Sequence, residues 1–194
     1  MRRAQITRNT KETQIELTLE LDGSGQYCIE SDYRFFNHML EQFSAHGLFD
    51  INLKLNSLDK NSHHAVEDVG IALGQAFREA LGDKKGIKRY GSMHLPMDEA
   101  LVLAVVDLSG RAFCSAELNL KDERTDDFET VLLSHFFASF AQNAGASVHI
   151  KLIEGADTHH IIEASFKAFA RALKEACRID ENSKDKIPST KGVL

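Results

Sequence analysis

Two phrases of one pattern stand out, HHAVE at 63–67 and HHIIE at 159–163. On a helix, His63 and Glu67 are four residues apart and share a face, whereas His64 lies about 100° around the axis. Two adjacent imidazoles therefore diverge, and they serve two metal ions more easily than one. Each phrase also has a lone histidine upstream: His38 precedes His63 by 25 residues, and His135 precedes His159 by 24. The set His38, His63, His64, Glu67, His135, His159, His160 and Glu163 holds six imidazoles and two carboxylates, enough for two sites of three nitrogens and one carboxylate. Such donors suit manganese, iron, zinc or nickel and disfavour calcium or magnesium. A single HHxxE is ordinarily a solvated helix start whose glutamate favours the helix dipole. Its recurrence, in register with an upstream histidine, is what points to metal. His46, His94 and His149 have no counterpart in the other half and read as surface or core residues. The pattern is neither the HExxH of zinc proteases nor the four-helix ligand set of di-iron bundles.

The elements that must position these residues also come twice. TQIELTLEL (13–21) alternates as a half-buried strand, DGSG (22–25) turns the chain into QYCIE (26–30), and RFFNHMLEQFSAHG (34–47) carries a helical apolar stripe. INLKL (51–55) is another strand, and AVEDVGIALGQAFREAL (65–81) an amphipathic helix. In the second half EALVLAVVDLSG (99–110) lies over ETQIELTLELDG (12–23), HFFASF (135–140) over HMLEQF (38–43), and VHIKL (148–152) over INLKL. HHIIEASFKAFARALKEA (159–176) then lies over HHAVEDVGIALGQAFREA (63–80). The chain is expected to be α+β: a tandem duplication of a βββαβα unit, 1–92 and 93–194, with helices covering four-stranded sheets and one continuous core.

A formal net charge of −6 argues against nucleic acid, although three arginines fall in the first eight residues. The longest apolar run, ALVLAVV at 100–106, is far too short to span a membrane, and the N-terminus has no apolar signal core. Cys28, Cys114 and Cys177 lack metal-finger spacing and cannot all pair, which fits thiols in a reducing, cytoplasmic setting. Arg89 and Arg111 lie beside glycines, and the tail PSTKGVL (188–194) offers Ser189, Thr190 and Lys191. Near a dimetal site, Arg89, Arg111 and Lys191 could clamp the phosphate of a small substrate.

With these motifs in order, the chain resembles the imidazoleglycerol-phosphate dehydratase family along essentially its whole length. The resemblance rests on RNTKET (8–13), HML (38–40), HHAVEDVGIALGQA (63–76), PMDEAL (96–101), DLSGR (107–111), HFFASFA (135–141), HHIIEASFKAFARAL (159–173) and PSTKGVL. It implies a fold of the ribosomal protein S5 domain 2-like kind. The implied reaction is loss of water from D-erythro-imidazole glycerol 3-phosphate, giving imidazole acetol phosphate in histidine biosynthesis through a dimetal-bound imidazolate. It also implies two manganese ions per subunit and a homo-oligomer of 24 subunits built from trimers, with sites between subunits. By the family pattern His38, His64, His159 and Glu163 hold one metal, and His63, Glu67, His135 and His160 the other. Glu12, Arg89, Arg111, Lys167, Ser189 and Lys191 contact substrate, and Glu12, Glu67 and Glu163 are the catalytic carboxylates.

Two departures from the family pattern are evident. Asn37 replaces an acid before His38, and LDKNSHH (58–64) is one residue shorter than the usual HIDDHH stretch and lacks its histidine and acids. A metal-binding shell protein and a metal-dependent phosphate hydrolase are the competing classes. The first would ignore imidazole phosphates, and the second would release inorganic phosphate.

Overall fold

The computed structural model describes residues 2–194. Its first half runs β1 (Arg3–Asn9), β2 (Thr13–Glu20), β3 (Tyr27–Glu30), α1 (Arg34–Gly47), β4 (Asp50–Ser57) and α2 (Ser62–Leu81). The second runs β5 (Tyr90–Met97), β6 (Ala100–Asp107), β7 (Phe113–Glu117), a small hairpin of β8 (Arg124–Thr125) and β9 (Phe128–Glu129), α3 (Leu132–Ala144), β10 (Ser147–Glu154) and α4 (Thr158–Cys177). The strand orders, β1-β2-β4-β3 and β5-β6-β10-β7, are the same order written twice. In each sheet the inner pair is antiparallel and the βαβ pair, β3 with β4 or β7 with β10, is parallel. Duplication of a βββαβα unit is thus visible in the fold. The β8–β9 hairpin has no partner in the first half, and β1, an edge strand, alternates as β2 does but buries only Ala4 and Ile6.

Each sheet is one-sided. Along β2, Ile15, Leu17 and Leu19 are buried while Gln14, Glu16 and Thr18 are partly or fully exposed, the period-2 signature of a sheet with one wet face. Helices cover the buried faces, and the helices of one half pack on those of the other, α1 against α4 and α2 against α3. Phenylalanines fill this junction. The Phe169 ring of α4 lies 5.0–5.7 Å from Phe43 (α1), Phe137 and Phe140 (α3), edge-on to the last two, and all are fully buried. Aromatic contacts at such distances add to the burial of large apolar areas. The buried apolar side chains form a single cluster through both halves.

The α2–α3 approach is close because α2 presents glycine there. A Cβ at Gly74 would lie 2.6 Å from the Phe140 carbonyl oxygen, and one at Gly70 would lie 2.9 Å from that of Phe136. Backbone of the facing helix cannot yield as a flexible side chain would. Gly74→Ala is therefore expected to destabilise by roughly 1–3 kcal/mol, the overpacking range, despite alanine's helix-propensity advantage of about 1 kcal/mol. Denaturant unfolding of the variant checks this; an unchanged or raised midpoint would contradict the close packing.

Candidate metal centres

Both histidine pairs sit in the first turn of a long helix, and side-chain caps fix the rotation of that turn. Asn61 caps α2 by accepting from the His63 amide at 2.9 Å, and Asp157 caps α4 by accepting from the His160 amide at 3.1 Å. The helices thus begin at 62 and 158, which places each pair inside the helix rather than before it. Adjacent rings diverge as helical geometry requires: their centroids are 6.1 Å apart for His63–His64 and 6.2 Å for His159–His160.

The upstream histidines then cross between halves. His38, on α1, meets α4: its Nε2 lies 3.1 Å from Glu163 Oε2, and His159 Nε2 lies 3.2 Å from the same oxygen. One ligand atom from each of these residues lies within 4.8 Å of the others, close enough for one ion to take all three at about 2.1 Å each. His135, on α3, meets α2: its ring centroid is 4.4 Å from that of His63, whose Nε2 is 3.7 Å from Glu67 Oε2. Each group of three combines the lone histidine of one half with the first histidine and the glutamate of the other half's helix.

The two groups differ in electrostatics. Glu163 is buried, 6% exposed, and its Oε1 accepts a 2.6 Å ion pair from Lys167 one turn on. Burial works to raise the Glu163 carboxyl, but Lys167 and His38 outweigh it and hold the group below the ordinary range. Glu67 is half exposed, and the residue a turn beyond it is Ile71. The first group faces a cavity of about 530 Å³ lined by Arg34, Phe35, His38, Asp126, Asp127 and His159. Asp127, from the β8–β9 turn, accepts the Arg34 and Phe35 amides at 2.9 Å each and so caps α1 from the other half.

His64 and His160 stand apart from both groups. His64 Nδ1 donates to Asp59 Oδ2 at 2.6 Å, with Glu12 Oε1 at 3.7 Å. His160 Nδ1 donates to Glu99 Oε2 at 2.7 Å, and its Nε2 is 3.7 Å from Asp98. His160 and two backbone amides pull the Glu99 carboxyl down to about 2. Asp59 raises the His64 imidazole above its ordinary value, and Glu99 does the same to His160. Asp59 was not singled out from the sequence: the shortened LDKNSHH loop has lost the usual acids next to the histidines but supplies one from five residues back. Asn37 does not touch the cluster. It accepts from the Ser31 hydroxyl and donates to the Ser31 carbonyl, closing the turn before α1.

The cationic residues divide in the same way. Arg111 and Lys191 line one cavity of about 450 Å³ together with Arg78, Lys84 and Leu194. The Lys84 ammonium reaches in from the end of α2 to the Leu108 carbonyl at 3.1 Å. Arg89 is engaged elsewhere, bidentate to Asp107 at 2.8 and 3.2 Å and donating to the Pro188 carbonyl at 3.0 Å, so it anchors the tail. The Ser189 hydroxyl accepts the Lys191 amide at 3.2 Å. Two of the three N-terminal arginines are structural: Arg8 pairs with buried Asp68, which also accepts from Thr13, and Arg2 pairs with Asp22.

Fold and clusters together define a duplicated α+β protein with a histidine–carboxylate group, His38, His159 and Glu163, close enough to hold a metal ion. A model of the imidazoleglycerol-phosphate dehydratase family matches residues 31–173. The imidazoleglycerol-phosphate dehydratase of Thermoanaerobacter sp. (strain X514) is 52% identical over 195 positions, and that of Cereibacter sphaeroides (strain ATCC 17029) is 51% identical, each alignment covering all of both chains. Crystal structures of the enzyme from Staphylococcus aureus (39% identity, TM-score 0.83, 92% of this chain and 99% of that one) and from Pyrococcus furiosus in complex with (S)-C348 (35%, TM-score 0.85, 97% and 100%) share the fold. The chain belongs to the imidazoleglycerol-phosphate dehydratase family, and with it to the hydro-lyases of histidine biosynthesis.

The outlying pairs set a pH dependence. In metal-free protein the depressed Glu99 contributes stability present above about 4.5 and lost as pH falls toward 2. The raised His160 contributes stability present below its ordinary 6.5 and lost as pH climbs through its raised value. The contact therefore helps most between the two. Binding of a metal to His160 or His64 must displace a proton and tightens as pH rises through that upper range. Histidine NMR titration of the metal-free protein is expected to show His64 and His160 titrating above 6.5; ordinary or lowered values would contradict these contacts.

Proposed function

We propose that the chain carries out the family reaction, D-erythro-imidazole glycerol 3-phosphate to imidazole acetol phosphate and water, with the substrate ring held between two manganese ions. The observation that carries this reading is the pair of crossed groups, His38–His159–Glu163 and His135–His63–Glu67. They are two like arrangements of nitrogen and carboxylate in one chain, the first gathered closely enough for one ion, for a substrate with two ring nitrogens. When bound, such ions supply Lewis acidity at those nitrogens and favour the imidazolate that can push hydroxide from the adjacent carbon.

The chain's own groups do the rest. Glu12 Oε1 lies 3.7 Å from His64, and its half-exposed carboxylate makes no closer contact among the described residues. It is available to take the proton from the hydroxyl-bearing carbon. Hydroxide leaves from the carbon bonded to the ring, gaining a proton to become water, and the resulting enol relaxes to the ketone. Glu67 and Glu163 bind metal and remain the nearest further acid–base groups. Arg111 and Lys191 receive the phosphate in the cavity they share with Lys84, with Ser189 beside them on the tail as the hydroxyl that joins the contact. Lys167 neutralises Glu163 and borders the substrate, and Arg89 holds the tail that carries Ser189 and Lys191.

His64 and His160 complete metal sites that another copy begins, which makes the active unit a homo-oligomer, the 24-subunit assembly of trimers. Exposed apolar side chains on the second sheet, Tyr90, Val105, Phe113 and Ile153, support such contacts; the strands of the first sheet expose only Tyr27 among large apolar residues. No helix among the described residues is long and apolar enough to cross a membrane, and the three cysteines are unpaired, which supports a cytoplasmic setting.

Turnover of imidazole glycerol phosphate by manganese-loaded protein, followed by appearance of the ketone, tests the reading. Glu12→Gln is expected to fold and load metal yet lose at least ~100-fold in rate, the lower end of general-base effects. Release of inorganic phosphate instead of ketone would overturn the assignment, and near-normal turnover would remove Glu12 from the mechanism.

A further inference from the structure

His64 and His160 occupy equivalent positions in α2 and α4, and each meets a carboxylate anchored in the same manner. Asp59 puts Oδ2 on His64 Nδ1 at 2.6 Å, while its Oδ1 accepts the Asn61 amide at 3.0 Å. Glu99 puts Oε2 on His160 Nδ1 at 2.7 Å, while its Oε1 accepts the Ala156 and Asp157 amides at 3.2 and 2.8 Å. In both, one oxygen is tied to backbone N–H groups leading into the helix, so the anion cannot turn away. An ionised carboxylate only accepts hydrogen bonds, so the hydrogen must reside on Nδ1. The neutral imidazole then carries its free lone pair on Nε2, the nitrogen left to bind a metal.

The two carboxylates reach their histidines from different places. Glu99 lies in the β5–β6 turn, where its first-half counterpart is Glu12, whereas Asp59 lies in the loop before α2. Glu12 is left 3.7 Å from His64 Nδ1 and half exposed, as Glu99 would be if another acid had taken His160. Among the described residues Asp98 also faces His160, at 3.7 Å from Nε2, but it is 78% exposed and makes no closer contact.

We propose that Asp59 and Glu99 are positioning residues that lock the tautomers of His64 and His160, with hydrogen on Nδ1 and Nε2 open to a divalent transition metal, and that Asp59 thereby frees Glu12 to act on substrate. The proposal rests on the reading of His64 and His160 as metal ligands.

Asp59→Asn and Glu99→Gln test it. In each variant the amide oxygen can keep the backbone N–H contact, which turns the –NH₂ toward Nδ1. That donor demands a lone pair on Nδ1, so the hydrogen moves to Nε2 and blocks the metal there. The measurement is competition between the assembled full-length protein and a chromophoric chelator for Mn²⁺ and for Zn²⁺. Wild type is expected to bind two ions per chain. Each variant should keep one at wild-type affinity and hold the other at least ~10-fold more weakly, with an unchanged unfolding midpoint, while Glu12→Gln holds both normally. Wild-type affinity for both ions in Asp59→Asn and Glu99→Gln would overturn the lock while leaving the metal reading intact. A variant that loses both ions together with its unfolding midpoint would assign the carboxylates to folding and overturn the lock as well. Fewer than two ions on the wild type would overturn the metal reading itself.

Discussion

Two consecutive side chains on a helix cannot point at the same place, and the architecture of the site follows from that constraint. With about 100° between them, His63 and His64 face different surroundings, as do His159 and His160. The first of each pair faces the lone histidine of the partner half and the second faces a carboxylate from a loop or turn. On the proposed metal reading one helix contributes to two centres, and a single unit completes neither. Duplication supplies the missing histidine, because α1 packs on α4 and α2 on α3, so His38 arrives beside Glu163 and His135 beside His63. The phenylalanine junction that joins the halves lies directly beneath this crossing, so the core that stabilises the fold also sets the spacing of the ligands.

Symmetry in the backbone has been broken in the side chains. Lys167 balances Glu163, while Ile71 stands at the matching place beside Glu67. Glu99 is consumed by His160 and by the start of α4, while Glu12 is relieved of the corresponding task by Asp59. The two histidine–carboxylate groups are thus alike in backbone placement but unlike in the charges around them, and of the two matching glutamates only Glu12 is left without a close partner.

Much of this was legible in the residues. The helix at 34–47, the paired histidines and the repeated unit follow from periodicity and from polar identities in register, because a duplicated sequence must fold twice in the same way. Which histidine meets which glutamate was less accessible to spacing. His38 and Glu163 are 125 residues apart, and only the packing of α1 on α4 brings them together. The β8–β9 hairpin escaped notice because its strands are two residues long, and yet its turn caps α1 through Asp127. Asp59 was hidden for a similar reason. A carboxylate five residues before its histidine has no helical register to announce it, and only the loop's path shows the contact. Arg89, which the family pattern places on substrate, is here bound to Asp107 and Pro188, a choice of partner that composition cannot reveal.

The claim on which everything turns is that each centre takes three groups from one chain and its fourth from another copy. Co-assembly of His64→Ala chains with Glu163→Gln chains tests it directly, with dehydratase turnover of the mixed oligomer as the measurement. Either variant alone lacks one ligand at every copy of the same centre. In a mixed assembly, the intact His38–His159–Glu163 group of the first variant can meet the intact His64 of the second. Activity well above that of both parents is the predicted result, and a mixture no more active than its parents would contradict the account.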